Sequence, residues 1–586
     1  MDSQPKLKLV EKGPCSLDNY NNDYFFQHGR IKVKTTAEQQ EAKRIEREKK
    51  LKIYQGATKT AFEKRKNREY DHEALEVTGN ILAANPDFYT LWNFRREILT
   101  HIKSNWEEEN VFKTFDGELY FLEQCLKVNP KSYGSWQHRC WTMENHTKPD
   151  WTRELKLCNK FLEYDERNFH CWDYRRFVVQ MSSVPLKEEF AFTTEKISTN
   201  FSNFSSWHYR SKLLQILHPD KSSSVGVAEN VMLDEFELVQ NAFFTDPNDQ
   251  SAWFYHRWLL GKSDGQLSLQ CIQASRDLQR VLISFDQQVK IGFDGLVVDL
   301  SINGSPVNVE WLSAKDNYSY IWFASVPSDL MNDSNSAIEI TVKSEKVHQV
   351  QRLNLAAEQK SALWQKELTS MNIFTRDLGA ATTETLNQEL AACQQLHELE
   401  QDNKWTLLTI VWLMQALNPL VHHEDVLNYI AMLTEVDPMR KQFYVDMRSK
   451  YVMELTIQKC HPSVLEIDFS NKQLTSTHHL ELLVSMVTIN LSNNQLTSIP
   501  SCTLLQSVTD LNIDNNLLSS CDFIANLPAL EHLSLKNNEI SSVDDLLALK
   551  SCSRLRSLDL QGNPLARNAR SRAEIGLLLS GVEIQL

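Results

Sequence analysis

The chain changes its rhythm of apolar and polar positions three times. From about Ala37 to Gly261 the spacing is helical, a charged stretch to Lys66 followed by paired amphipathic segments. Between Gly265 and Leu355 the apolar residues fall in short β-branched or aromatic segments (VLISF, VKIGF, LVVDLSI, NVEWL, YSYIWFASV, AIEITVKS) set apart by Gly, Asn, Asp and Ser. About seven strands in roughly 90 residues predict a small β-sandwich. Helical spacing is expected to resume at Ala356, and from Val464 a third rhythm begins. There Asn494, Asn516, Asn538 and Asn563 each follow two apolar residues (Ile489/Leu491, Leu511/Ile513, Leu533/Leu535, Leu558/Leu560), at spacings of 22, 22 and 25. This period predicts leucine-rich repeats, with the Asn side chains bonding the backbone of stacked turns and not a ligand. Ile467 and Phe469 would open the array with Lys472 in the Asn place, because no preceding turn needs capping, and Arg572–Leu579 would close it.

Within the first helical stretch one pattern occurs five times: Asn85-Pro86…Tyr89…Trp92…Arg95, Asn129-Pro130…Tyr133…Trp136…Arg139, Asp165…Phe169…Trp172…Arg175, Asn200…Phe204…Trp207…Arg210 and Asp246-Pro247…Trp253…Arg257. The Trp positions lie 44, 36, 35 and 46 residues apart, the length of a helical hairpin, which predicts stacked helix pairs. Each occurrence reads as a helix start, with Asn or Asp at the N-cap and Pro at the first helical position. The aromatic, Trp and Arg then share one stripe, where the rings fill space between hairpins and the Arg can ion-pair with the next repeat. The third and fourth occurrences lack the Pro and carry Phe for Tyr; the fifth has Gln250 in the aromatic place and its Arg one residue late. Asp437-Pro438 followed by Tyr444 keeps the six-residue step from Pro to aromatic and predicts a sixth, degenerate hairpin, so the sandwich would interrupt one solenoid.

Composition narrows the classes. The 586 residues leave room for several domains, and 42% hydrophobic with 24% charged residues is ordinary for a globular chain. A net charge of −14 argues against broad nucleic-acid or anionic-membrane binding. The run KRIEREKK mixes signs without interleaved aromatics and reads as a solvated helix face. Eleven Cys without C-x-x-C or Cys/His ligand spacing point to free thiols in a reducing compartment. Trp405–Leu417 is too short to span a bilayer and reads as a core helix, and Met1–Gln27 lacks the basic and apolar regions of a secretory signal.

The P-x-x-Y-x-x-W-x-x-R pattern resembles the α-subunit repeat of the protein prenyltransferases, heterodimers that attach farnesyl or geranylgeranyl groups to cysteine. With the sandwich insert and leucine-rich tail, the resemblance is to the type II members, the Rab geranylgeranyltransferases, and it spans nearly the whole chain. It implies a multidomain protein: a helical-hairpin (α-α) solenoid with an inserted immunoglobulin-like β-sandwich and a C-terminal leucine-rich repeat domain of α/β type. The expected boundaries are 1–27 for an N-terminal extension, 28–264 for helical repeats, 265–355 for the sandwich, 356–460 for continued repeats and 461–586 for the leucine-rich array. His28-Gly29-Arg30-Ile31-Lys32-Val33-Lys34 resembles the beginning of many members.

The resemblance also implies a cytoplasmic enzyme subunit that is inactive alone. Its partners would be a prenyltransferase β-subunit in an obligate heterodimer, a Rab escort protein, and Rab GTPases as protein substrates, with no nucleic acid and no stable membrane anchoring. Geranylgeranyl diphosphate would be the co-substrate, and the zinc would sit in the β-subunit, none being bound by this chain. An inner face rich in motif aromatics would wrap the β-subunit, with Trp92, Arg95, Trp136, Arg139, Trp172, Arg175, Trp207, Arg210, Trp253 and Arg257 serving structure and subunit contact.

A thiolate attacking a prenyl diphosphate needs its leaving group neutralised, which a positioned Lys or Arg does. Five residues before the motif Trp stand Asp87, Lys131, Arg167, Ser202 and Asn248, so positive charge occurs in two adjacent repeats only. Lys131 and Tyr133 match the family positions that resemble a diphosphate contact and its neighbouring aromatic; the plain alternative for Lys131 is a solvated surface lysine. His170 lies nearby in sequence and reads as a capping or packing residue. Two other readings stay open: a non-enzymatic helical-repeat and leucine-rich scaffold, which would carry Ala and Gly where this chain packs Trp and Arg, and a farnesyl or type I α-subunit with extra domains.

Overall fold

The computed structural model describes residues 37–586 apart from 221–224, 262–266, 294, 314–317, 332–333, 346, 367–382, 462–463 and 568–569. The expected extension 1–27, the His28–Lys34 stretch and the expected sandwich start at Gly265 lie outside the described residues. The chain divides into two compact units, Met1–Leu217 and His218–Leu586.

The first unit opens with a long helix, α1 (Ala37–Asn67), whose exposed turns carry intrahelical ion pairs such as Lys50–Glu46, as a solvated face should. Four helix pairs follow: α2 (His72–Ala84) with α3 (Tyr89–Asn105), α4 (Glu108–Val128) with α5 (Tyr133–Asn145), α6 (Trp151–Tyr164) with α7 (Phe169–Met181), and α8 (Leu186–Thr199) with α9 (Phe204–Leu217). The second unit begins with the pair α10 (Glu229–Thr245) and α11 (Gln250–Leu260).

The repeated Asn or Asp does not cap the helix it precedes. Asn85, Asn129, Asp165, Asn200 and Asp246 are instead the C-caps of α2, α4, α6, α8 and α10. From Asn129 onward each accepts, through Oδ1, the N–H two residues on, the turn these side chains favour. The N-cap stands three residues later, as with Ser132, Asn168 and Asp249, whose side chains accept first-turn N–H groups. The Pro thus lies in the turn and not at the first helical position.

That turn explains the Trp. The carbonyl six residues before each motif Trp accepts its indole N–H: Pro86 from Trp92, Pro130 from Trp136, Glu166 from Trp172, Phe201 from Trp207 and Pro247 from Trp253, at 2.7–2.9 Å. The five Trp are at most 4% exposed, so they belong to the core and not to a free inner face. What the motif leaves outside is its first aromatic: Tyr89, Tyr133, Phe169 and Phe204 are each about half exposed. The expectation that the Trp side chains face a partner is therefore corrected. The close packing also fixes Gly134, where a Cβ would lie 2.6 Å from the Trp92 Nε1.

The motif Arg latches one hairpin to the next. Arg139 pairs bidentately with Glu154 at 2.7 Å, Arg175 with Glu189 at 2.6 and 2.9 Å, and Arg95 with Glu118, all buried. Each Glu lies on the following hairpin's first helix and takes a second donor or partner from that hairpin's own motif helix: Tyr174 on Glu154, His138 on Glu118. Burial alone would push the Glu118 carboxyl up, but Arg95 and His138 outweigh it and bring it down to about 2. Arg210 bonds Thr194 and lies over Phe190. In the fifth hairpin His256 occupies the Arg place and meets Glu389 at 2.7 Å, whereas Arg257 lies over the Trp412 ring; Arg257 is thus not a displaced copy of the motif Arg.

The insert follows in the second unit as β1 (Leu269–Ser275), β2 (Arg280–Val289), β3 (Val297–Ile302), β4 (Ser305–Val307), β5 (Leu312–Ser313), β6 (Ser319–Ser325), β7 (Ser336–Lys343), β8 (His348–Leu355) and β9 (Ser361–Gln365). They form two antiparallel sheets, in order β5-β6-β2-β1-β9 and β4-β3-β7-β8, with residues such as Ile272, Ile283, Ile338 and Ile340 in a common core. The strand β9 corrects the expected helix at Ala356: Ser361–Gln365 pairs with β1, and the next described helix starts at Thr383.

Four helices come next: α12 (Thr383–Leu399), α13 (Lys404–Leu417), α14 (His423–Val436) and α15 (Lys441–Lys459). The pair α12/α13 packs directly on α10/α11, since Asn403 donates to Pro247 O at 2.8 Å, as Asn168 does to Pro130 O. The hairpin that carries Tyr444 is therefore preceded by another, in which Leu407 takes the Trp place and Gln401 the Pro place.

The C-terminal part stacks β10 (Glu466–Asp468), β11 (Thr488–Asn490), β12 (Asp510–Asn512), β13 (His532–Ser534) and β14 (Ser557–Asp559), then a helix α16 (Ser571–Leu578) and β15 (Glu583–Gln585), into one parallel sheet. Asn494 accepts from Leu474 N at 2.9 Å and donates to Phe469 O and Leu491 O; Asn516, Asn538 and Asn563 repeat this one turn on. Each Asn ties its own turn to the one before, which is why Lys472 suffices in the first.

Candidate functional site

Lys131 and Tyr133 flank the start of α5. Asn129 Oδ1 accepts the Lys131 N–H at 3.1 Å, Pro130 fixes the turn, and Ser132 caps the helix. This holds the Lys131 backbone rigidly while its ammonium lies in solvent, 3.8 Å from Asp165 Oδ2 in the next repeat. Tyr133, the first residue of α5, presents its ring edge-on to the imidazole of His170, with centroids 4.2 Å apart. His170 is buried under Tyr133 and Phe169. Burial pushes its imidazole below the ordinary value, with Asp173 opposing and the Lys131 charge adding.

The structure thus brings Lys131, Tyr133, His170 and Asp165 to one place at the adjoining starts of α5 and α7. Ser132 and Asn168 already take part of the first-turn N–H groups there, so the helix dipoles add to the Lys131 charge in favouring an anion without offering a full set of free donors. Arg167 occupies the same place one repeat on, exposed, its N–H held by Asp165 Oδ1 at 3.1 Å. The ten motif Trp and Arg residues are set apart from this surface, within the helix packing.

Sequence reading missed Asp165 as a partner of Lys131, and the acidic half of the latch. The signal for the latter was present: Glu118, Glu154 and Glu189 stand 18 residues before Trp136, Trp172 and Trp207, and Glu389 stands 18 before Leu407. Among the described residues no group of three or more His, Cys, Asp or Glu is placed to hold a metal ion, and no helix is long and apolar enough to cross a membrane. The ten described cysteines are free.

Comparison with known proteins bears on the helix pairs and the β-rich insertion. The protein prenyltransferase alpha subunit repeat matches residues 71–102, 115–146, 151–182, 186–217 and 232–263, and each match falls on one helix pair from α2/α3 to α10/α11. The Rab geranylgeranyl transferase alpha-subunit insert domain matches residues 269–367, the β-rich insertion. The class is that of protein prenyltransferase α-subunits. Over 462 residues the chain is 46% identical to the geranylgeranyl transferase type-2 subunit alpha of Sus scrofa, covering 78% of this chain and 82% of that one. The Homo sapiens protein of that name is 47% identical over 463 residues, with the same coverage. The Saccharomyces cerevisiae protein of that name is 37% identical over 241 residues, 40% of this chain and 72% of that one. The chain belongs to the family of geranylgeranyl transferase type-2 α-subunits.

Proposed function

We propose that this chain is the α-subunit of a cytoplasmic heterodimer that transfers geranylgeranyl groups from geranylgeranyl diphosphate to C-terminal cysteines of Rab GTPases presented by a Rab escort protein. The observation that carries the reading is the cluster at the starts of α5 and α7, where a rigid turn presents Lys131 beside an exposed aromatic in a chain of this family. The β-subunit seats on the surface to which the half-exposed Tyr89, Tyr133, Phe169 and Phe204 belong. Zinc, which the resemblance places in the β-subunit, would supply the acceptor cysteine as a thiolate.

In the transfer the cysteine sulfur bonds to the first carbon of the prenyl chain while the carbon–oxygen bond breaks and its electron pair leaves on the diphosphate. The Lys131 ammonium offsets that charge as it develops, and the Tyr133 ring, braced by His170, walls the same side. The antiparallel insert is immunoglobulin-like and the parallel stack a leucine-rich repeat domain, both accessory to the transfer. The Saccharomyces cerevisiae relative supports that reading, since its match to 40% of this chain already takes up 72% of its own length.

The test is single-turnover transfer by the heterodimer. Lys131→Ala loses a charge-assisted contact worth about 1.5–3 kcal/mol and slows transfer roughly ten- to a hundredfold. Arg167→Ala has a smaller effect, and the α-chain alone has no activity. Equal rates for wild type and Lys131→Ala would return Lys131 to the ordinary surface lysines.

A further inference from the structure

We propose that Asp165 is a positioning residue for the leaving diphosphate: a fixed counter-anion that Lys131 leaves when a diphosphate arrives and returns to when it departs. The inference rests on Lys131 being the diphosphate contact, and adds to it a route for product release.

The geometry is specific to this repeat boundary. Asp165 ends α6, and its Oδ1 is occupied by the Arg167 N–H at 3.1 Å, which fixes the carboxylate and turns Oδ2 toward Lys131, 3.8 Å away. At the preceding boundary the same two repeat positions hold Asp87 and Asn129, joined by an Asn129 Nδ2–H to Asp87 Oδ2 bond of 3.1 Å. At the following boundary Arg167 stands in the Lys131 position and Asn200 in the Asp165 position, and the Asn200 amide bonds Glu166. All three turns accept the same backbone N–H, which an Asn does as well as an Asp. The turn therefore does not need a carboxylate at 165. The charge is extra to the fold, and what it faces is the one lysine in this row.

A carboxylate so placed orients the empty lysine and competes with any phosphate for it. Lys131 keeps 48% of its side-chain exposure and Asp165 34%, so the pair is screened by solvent and weak. A weak counter-anion suits the purpose: it tempers the hold on inorganic pyrophosphate without cancelling the charge that the breaking bond needs.

The experiment uses the heterodimer and measures the affinity of inorganic pyrophosphate by competition against prenyl diphosphate binding. Asp165→Asn keeps the turn and removes the charge, and should tighten pyrophosphate about two- to fivefold, less at high salt. Asp165→Glu should stay near wild type. In a Lys131→Ala background Asp165→Asn should have no effect. Unchanged or weaker pyrophosphate binding in Asp165→Asn, with Lys131→Ala still weakening it, overturns the role of Asp165 and leaves Lys131 as the contact. Pyrophosphate affinity indifferent to Lys131→Ala overturns both.

Discussion

The indole of Trp136 donates to the carbonyl of Pro130 across 2.8 Å, and the second lone pair of that oxygen takes Asn168 Nδ2–H from the next repeat at 2.9 Å. One turn carbonyl thus closes its own hairpin and joins the following one. Pro86, Glu166 and Pro247 do the same with Ser132, Asn203 and Asn403. The six-residue step from turn to Trp is the reach of this bond. Trp136→Phe keeps most of the ring but removes the donor. It should lower unfolding stability by about 1 kcal/mol, read as a shifted denaturant midpoint at constant slope, whereas Trp136→Ala should cost about 3–5 kcal/mol for the cavity.

This relationship also shows what the sequence disclosed. The spacing of Trp136 and Pro130 was plain, but it suggested a capped helix start, because Asn-Pro fits a helix N-terminus as well as the C-cap and turn it forms. The bond between indole and carbonyl leaves only the bare six-residue step as its trace in the sequence, and the step alone does not say which atoms it joins. Likewise Arg139 stands out at once, whereas Glu154 emerges only from its 18-residue step to Trp172, since a single Glu in an amphipathic helix looks solvated until that repeat is compared with the others. The pair α12/α13 escaped because Leu407 replaces the Trp and an insertion separates it from its neighbour. Lys131 stood out by charge and family position, while Asp165, a turn residue like the Asn in other repeats, did not.

The Arg139–Glu154 latch should respond as a unit. Removing either partner alone leaves a buried charge, so Arg139→Ile or Glu154→Val should each cost about 3–5 kcal/mol. The chain carries its own apolar version of the pair: Ile410 and Val426 occupy the Arg and Glu places between the last two hairpins, both buried. Arg139→Ile with Glu154→Val and Tyr174→Phe, the last removing the hydroxyl that Glu154 accepts, should recover at least half of either single loss. A triple variant less stable than both singles would mean that the latch contributes more than apolar packing can replace.

A second ionic joint gives a pH dependence. His479 sits between Glu454 of α15 at 2.7 Å and Glu481 at 3.2 Å, with Lys450 and His478 close by. Burial opposes its charge, but the two carboxylates outweigh burial and push its pKa up to about 9. A raised folded value means the stabilisation is complete below the unfolded value of about 6.5 and is lost as pH climbs through 9. At full strength it is worth roughly 3 kcal/mol. The thermal midpoint of wild type should therefore fall between pH 6.5 and 9.5 more steeply than that of His479→Gln, the two curves converging at the alkaline end. Parallel curves would place the charge elsewhere.

The last prediction concerns the two accessory parts, which are less independent than separate grafts would be. The sandwich meets the parallel stack through Arg554–Asp277 at 3.9 Å and a Ser485–Gln365 bond, and a tight cleft lined by Cys271, Ser284, Leu482 and Val484 lies between them. On its other side the stack holds α15, where Asp446 and Ser449 bond Thr475 and Arg448 donates to Lys472 O at 2.8 Å. Ending the chain after Lys459 uncovers both contacts. The truncated subunit should lose several degrees of thermal midpoint and much of its soluble yield. Transfer per folded heterodimer should stay within about threefold of full length, because Lys131 and its turn lie in the other compact unit. Loss of transfer from an intact truncated heterodimer would put the stack in the reaction, while an unchanged midpoint would show that the contacts across Ser485 and Thr475 contribute nothing to folding.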